Sequence, residues 1–251
     1  MRAISPQSPE AIKAGLRTAY LQLDQQLRKL PEIERGDDHS GSTSIGSMVT
    51  PDHIVLSNCG DSRAIIVRDG KAILATEDHK PYNPTEQARI RDAGGHVSMQ
   101  RVNGDLAVSR ALGDFVYKQC ASKPDVEQQV SPEPEFYVHE RSPQDSFLVL
   151  ACDGIWDVKS NQNVADFVTS MAKAGCTSLD DMAAELIKDC LKRGSRDNMS
   201  AIIVRLPGAP VPTEAEKAEW AKRYAAQLKE EAGEADHDTR AAGTSAVGAS
   251  H

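Results

Sequence analysis

Three aspartates carry the chemistry this sequence can offer. Asp153 follows Phe147 to Cys152, a run of six apolar or small residues. Such a run reads as a strand buried on both faces. Asp153-Gly154 breaks it, because glycine permits a turn that other residues resist. A carboxylate is thereby delivered to the rim of a core by a rigid element. Asp197 lies in the turn Arg196-Asp197-Asn198, just ahead of the strand-like stretch Met199 to Arg205. Asp61 lies in Cys59-Gly60-Asp61-Ser62-Arg63, a tight turn between two further strand-like runs. Taken singly, each fits ordinary turn chemistry, and Asp61 has Arg63 as a local partner. Taken together, three rim carboxylates without a His or Cys pair nearby suit a hard divalent cation, Mg²⁺ or Mn²⁺, and not zinc.

Composition narrows the partners. The 251 residues are 39% hydrophobic and 26% charged, enough for one large globular domain or two small ones. A formal net charge of −8 argues against sequence-blind binding to nucleic acid or to an anionic membrane. No apolar run approaches a membrane span, and no signal-peptide pattern is present, which places the chain in the cytosol or nucleus. The cysteines are Cys59, Cys120, Cys152, Cys176 and Cys190. An odd count without Cys-x-x-Cys suggests neither a disulfide framework nor zinc.

The elements that must hold the aspartates follow from periodicity. Residues 9 to 30 read as a helix capped by Ser8, with Ile12, Leu16, Tyr20, Leu23, Leu27 and Leu30 on one face. Glu32 to Ser42 reads as polar loop. Ser44–Val49, His53–Asn58, Ala64–Arg68 and Ala72–Thr76 read as an antiparallel meander. Asp78 to Asp105 is a polar excursion with a short helix from Pro84 to about Ala93, and its His79 and His96 read as solvated. Leu106 to Phe115 reads as a helical turn. Glu135–Glu140, Phe147–Cys152 and Met199–Arg205 are strands; Val164–Met171 and Leu179–Leu191 are helices. Beyond Pro207 come a linker, an Ala/Glu/Lys-rich solvated helix from Thr213 to about Glu231 with Trp220, Tyr224 and Leu228 on one stripe, and a disordered tail from Gly233. Strands in runs with segregated helices predict an α+β fold with antiparallel sheets. The division is a domain over 9–206 and an appendage over 207–251.

Nine segments carry a resemblance: Ser40–Ser44, Asn58–Arg63, Asp78–Pro81, Asp92–Gly95, Gln100–Gly104, Leu106–Asp114, Ser131–Pro134, Ala151–Asp157 and Gly194–Met199. In this order and spacing, the chain from about Glu10 to Arg205 closely resembles the metal-dependent protein phosphatases of type 2C. The resemblance implies a sandwich of two antiparallel sheets flanked by helices, and hydrolysis of phosphoserine and phosphothreonine in proteins by a metal-activated water. It implies that Asp153 and Asp197 are ligands of one Mg²⁺ or Mn²⁺, that Asp61 with Asp153 serves a weaker third ion, and that Asp78 to Asp105 is the flap beside the site.

The chain departs from the family pattern in one respect. No Asp-Gly-His occurs in it, whereas the family's first strands carry an Asp-Gly-His-Gly-Gly motif, a further acidic ligand and a phosphate-binding arginine. The expectation is an N-terminally truncated domain whose chain alone hydrolyses phosphoproteins poorly, with no catalytic side chain assigned beyond the metal ligands. The alternative is a pseudophosphatase or regulatory binding module. Cys190-x₅-Arg196 also fits the loop of cysteine-dependent phosphatases, but Cys190 falls near the end of a helix, where the dipole disfavours a thiolate.

Overall fold

The computed structural model describes residues 8–245, with side chains placed to residue 230. Helix α1 (Pro9–Leu27) starts where sequence puts it: Ser8 accepts the Ala11 N–H at 3.3 Å and Pro9 sits in the first turn. A one-turn helix α2 (Pro31–Glu34) and a short strand β1 (Gly41–Ser42) occupy the stretch read as polar loop. Then come β2 (Ser44–Val49), β3 (His53–Cys59), β4 (Arg63–Arg68) and β5 (Lys71–Ala75). Helix α3 (Pro84–Asp92) with the two-residue strands β6 (Val97–Ser98) and β7 (Arg101–Val102) forms the excursion, and β8 (Leu112–Gly113) pairs back with β1. Strands β9 (Glu135–Glu140) and β10 (Asp145–Ala151) precede helices α4 (Asp153–Trp156), α5 (Asn161–Lys173) and α6 (Leu179–Lys192). Strand β11 (Ala201–Arg205) and helix α7 (Glu214–Ser245) complete the described chain. Among the described residues no helix is long and apolar enough to cross a membrane.

Two antiparallel sheets form the centre, ordered β2-β3-β9 and β11-β10-β4-β5. Strand β10 explains why they stack. All seven of its residues are buried. Leu148 and Leu150 face the other sheet and join Ile54 and Leu56 of β3 and Ile66 of β4. Phe147 and Val149 face outward and meet Val164 and Val168 of α5 and Met182 and Leu186 of α6. Each such side chain contributes about 1.5–3 kcal/mol on burial. The α+β sandwich flanked by helices is therefore the observed architecture.

Several local expectations are corrected. The four strands read as one meander are split between the sheets: β2 and β3 lie in one, β4 and β5 in the other. The crossing falls at Gly60, whose φ is +114° and whose Cβ, if it had one, would meet Thr43 Cγ2 at 2.4 Å. The apolar stripe of α1 is not simply its buried face. The helix ends at Leu27, short of Leu30; Leu23 is exposed, and the buried residues of the helix are Ile12 and the polar Asp24. Leu106 to Phe115 is not helical. Gly113 and Asp114 both have positive φ, at +76° and +51°, which breaks a helix, and the segment runs extended through β8 into a 3₁₀ turn, Phe115–Tyr117.

The C-terminal helix also differs from the reading of a solvated rod and disordered tail. Trp220 packs on the α5–α6 core, and Gly175 lets it approach: a Cβ there would lie 2.2 Å from the Glu216 carbonyl oxygen. Gln227 Nε2 donates to Glu185 Oε2 at 3.1 Å. The helix continues through Gly233 to Ser245, although Gly233 and Gly243 each cost about 1 kcal/mol relative to alanine in a helix. The remainder of the predicted tail, 246–251, lies outside the described residues.

Candidate active site

The sheet register brings two of the three aspartates face to face. Ala151 of β10 pairs with Arg63 of β4 in antiparallel register. Asp153 stands two residues after Ala151 and Asp61 two residues before Arg63, at the same end of the pair. On the other side of β10, Ala151 pairs with Ala201 of β11, so the loop that carries Asp197 leaves the sheet at the same end. Asp153 opens α4, and Asp197 Oδ1 accepts the N–H of Asn198 at 2.7 Å. The loop is pinned to α4 by Ser195 Oγ, which donates to the Gly154 carbonyl oxygen at 2.8 Å. Cys152, just before Asp153, receives the Ser200 N–H on its sulfur at 3.2 Å.

Electrostatics reports the gathering. The Asp153 carboxyl is pushed above its ordinary range, first by burial and then by Asp61, Asp197 and Asp157. This crowd of negative charge is the field into which a cation is drawn. Asp157 was missed by sequence reasoning about turns. It lies four residues after Asp153, and its N–H donates to the Asp153 carbonyl oxygen at 2.8 Å, one helical turn on. The Asp-x-x-x-Asp spacing was the available signal. A cleft of about 490 Å³ opens beside Cys152, between Thr43, Ser62, Leu150 and Ser200.

Asp61 is the least available of the three. Its Oδ2 is 2.5 Å from Lys80 Nζ. The expected local pair with Arg63 does not form. Arg63 instead makes a two-pronged pair with Asp78, at 2.9 and 2.8 Å, and lies over the Trp156 ring at 5.1 Å. Burial is the largest single influence on Lys80 and lowers its pKa, but Asp61, Asp78 and Asp157 together outweigh it and drive the pKa above its ordinary value.

These donors do not make a closed metal site as they stand. Protein-held Mg²⁺ and Mn²⁺ require several converging oxygens. Among the described residues no group of three or more His, Cys, Asp or Glu side chains converges to hold an ion. The three aspartates share one field, but one of them already carries an ammonium partner.

The excursion is fastened by a buried carboxylate. Glu86 of α3 takes Arg110 Nη2 at 2.7 Å, Arg89 Nη2 at 2.8 Å and the Ser109 hydroxyl at 2.6 Å. Burial opposes ionisation, but these donors outweigh it and hold Glu86 at about 2. A carboxylate whose folded pKa lies below its unfolded value stabilises above the unfolded pKa and ceases to do so as pH falls through the folded one. Glu86 therefore contributes stability that is complete above about pH 4.5 and is lost between there and about pH 2, on the order of 3 kcal/mol. Urea midpoints from pH 5 to pH 2.5 should fall accordingly, and Glu86→Gln should be less stable at pH 7 with a flatter acid limb. An unchanged acid limb in the variant would contradict this assignment.

Cys190 is buried near the end of α6, and burial raises its pKa. Burial outweighs the charges of Lys159 and Arg193, which would favour a thiolate, and the sulfur is sealed from substrate, so the cysteine-phosphatase reading fails.

A family model described as Protein phosphatase 2C matches residues 3–199. Protein phosphatase 1B of Mus musculus is 49% identical over 212 residues, covering 84% of this chain and 54% of that protein. Protein phosphatase 1A of Homo sapiens is 50% identical over 214 residues, covering 84% and 56%. A crystal structure of a phosphatase from Toxoplasma gondii superposes with a TM-score of 0.69 at 26% identity, covering 83% of this chain and 77% of that one. The chain spans about half the length of the curated relatives it matches. It belongs to the protein phosphatase 2C family, which is metal-dependent.

Proposed function

We propose that residues 9–206 form a Mg²⁺- or Mn²⁺-dependent phosphatase domain that hydrolyses phosphoserine and phosphothreonine in proteins. In this reading Asp153, Asp197 and Asp61 are its metal-facing carboxylates, and residues 207–251 are an appendage. The observation that carries it is the crowding of Asp61 and Asp197 upon Asp153 at one sheet end. It occurs in a chain about half identical to protein phosphatases 1A and 1B. Five free cysteines support a reducing compartment, cytosol or nucleus.

Because the donor set does not close, turnover by this chain alone is expected to be slow. A phosphothreonine peptide assayed with Mn²⁺ should release phosphate slowly, and Asp153→Asn should lower the rate by about 10-fold or more. A rate that is independent of Mn²⁺ and unchanged by the substitution would refute the proposal. The second reading is a phosphoprotein-binding module without turnover. It is favoured by the Lys80 ammonium on Asp61. Phosphopeptide binding with no phosphate release in any variant would select it.

A further inference from the structure

His79 is buried, 3% exposed, in a segment whose sequence reads as a solvated loop. Its surroundings show what holds it there. The Gly60 N–H donates to His79 Nδ1 at 3.0 Å, and the His79 backbone N–H donates to the Gly60 carbonyl oxygen at 3.0 Å. One residue thus grips both polar groups of Gly60, the residue immediately before Asp61. The same carbonyl takes Asn58 Nδ2 at 3.2 Å. On the far side of the ring, Nε2 lies 3.3 Å from Glu135 Oε2. That oxygen also accepts the Tyr137 hydroxyl at 2.8 Å, and the Tyr137 oxygen accepts the Glu77 N–H at 2.9 Å.

This arrangement fixes the tautomer. Nδ1 accepts a hydrogen bond from an amide, so the ring proton sits on Nε2 and points at Glu135. The grip falls at the point where the chain crosses between sheets, at Gly60, whose φ of +114° glycine adopts without strain. The next residue after His79 is Lys80, whose ammonium reaches the Asp61 carboxylate. Consecutive residues of the excursion therefore hold the backbone of the Asp61 turn and its side chain.

We infer that His79 is a positioning residue for Asp61: its imidazole, oriented by Glu135 and Tyr137, braces the Gly60 peptide and sets where the Asp61 carboxylate stands relative to Asp153. The inference rests on the reading of Asp61 as part of the site. It assigns no proton transfer to His79.

The test uses the full chain, labelled with ¹⁵N. Long-range ¹H–¹⁵N spectra of the wild type should show the proton on Nε2 of His79 and none on Nδ1. Amide exchange at Gly60 should be about 10- to 100-fold faster in His79→Ala, as expected for loss of one buried hydrogen bond. Exchange at the β10 amides serves as the reference for global stability. In His79→Asn the side-chain oxygen stands near the place of Nδ1, so protection at Gly60 should largely return although Glu135 is no longer reached. A proton on Nδ1 in the wild type, or Gly60 exchange that changes only in step with the β10 amides, overturns the inference. Phosphopeptide turnover in Asp61→Asn tests the reading beneath it. Turnover below that of the wild type supports a role for Asp61, whereas equal turnover removes Asp61 from the site and the positioning role with it. The amide data decide separately whether His79 braces the turn.

Discussion

Gly154→Ala is expected to lower stability by about 1–3 kcal/mol and to cut the proposed phosphopeptide turnover by 10-fold or more. In most helices this change stabilises, since alanine is preferred over glycine by about 1 kcal/mol. The local geometry reverses the sign. Gly154 lies in α4, and a Cβ there would sit 2.5 Å from the Asn198 carbonyl oxygen and 2.9 Å from Met199 Cγ. The methionine side chain can swing away, but the carbonyl is backbone, and relieving the clash means moving the loop. That loop carries Asp197, and it is tied back to Gly154 by the Ser195 hydroxyl. The substitution therefore separates Asp197 from Asp153 and strains the tie between α4 and β11. Urea denaturation gives the stability loss, and phosphate release gives the activity loss. A variant as stable and as active as the wild type would show that the 194–199 loop shifts freely, so that the aspartates are not held in register by α4.

The parts of this fold that sequence reveals are those whose environment is the same along a whole element. Phe147 to Ala151 was readable as a doubly buried strand because both of its faces meet apolar layers, one made by β3 and the other by α5 and α6. Helix α6 was readable with its cap, Ser178 accepting the Asp181 N–H, whereas α5 was read only from Val164 and in fact starts at Asn161, where Ser160 accepts the Asn163 N–H. The two-residue strands β1, β6, β7 and β8 were not, because so short a segment has no period, and its pairing is set by distant chain. The passage from β3 to β4 looked like a hairpin turn for a similar reason. Gly-Asp-Ser permits a tight turn, but whether the chain folds back or crosses to another sheet depends on Thr43 and His79, neither of which is local.

The site shows the same division. That Asp61, Asp153 and Asp197 stand where apolar runs end was legible in the sequence, although Asp153-Gly154, read as a turn, opens helix α4 instead. Their mutual placement was not, since it comes from the register of β10 with β4 and β11. Nor were the partners. Arg63, two residues from Asp61, looked like its counter-ion, yet it goes to Asp78, and Lys80 takes Asp61. Ion-pair choice among several nearby opposite charges is decided by a few ångströms of backbone placement, a distance that spacing along the chain does not encode. His79 illustrates the same limit for hydrogen bonds: a histidine in a polar stretch gives no sign that it will be buried against a glycine.

The second large effect is expected at Lys118, where sequence gave no signal. Its ammonium is fully buried and pairs with Asp24 of α1, 94 residues away, at 2.7 Å. It also donates to the Ala111 carbonyl oxygen at 2.9 Å. Asp24 Oδ1 takes the Gly113 N–H at 2.8 Å, so one carboxylate fastens α1 both to β8 and to the 3₁₀ turn behind it. Burial pulls the Lys118 pKa down, and Asp24 is the chief influence that opposes the fall without cancelling it. Lys118→Ala removes the cation and leaves a buried carboxylate with a single amide donor, a change expected to cost about 3–5 kcal/mol. The double variant Asp24→Leu, Lys118→Met should cost less than Lys118→Ala alone, because it leaves no unpaired charge in the interior. Chemical denaturation of both proteins at one pH measures the difference. If the double variant is the less stable of the two, the pair acts as a specific clamp on α1 that apolar packing does not replace. If it is the more stable, the energetic weight of the pair lies in avoiding an isolated charge, and α1 stays docked through Ile12 and the hydrogen bonds of Tyr20 to Ser44 and Ser57.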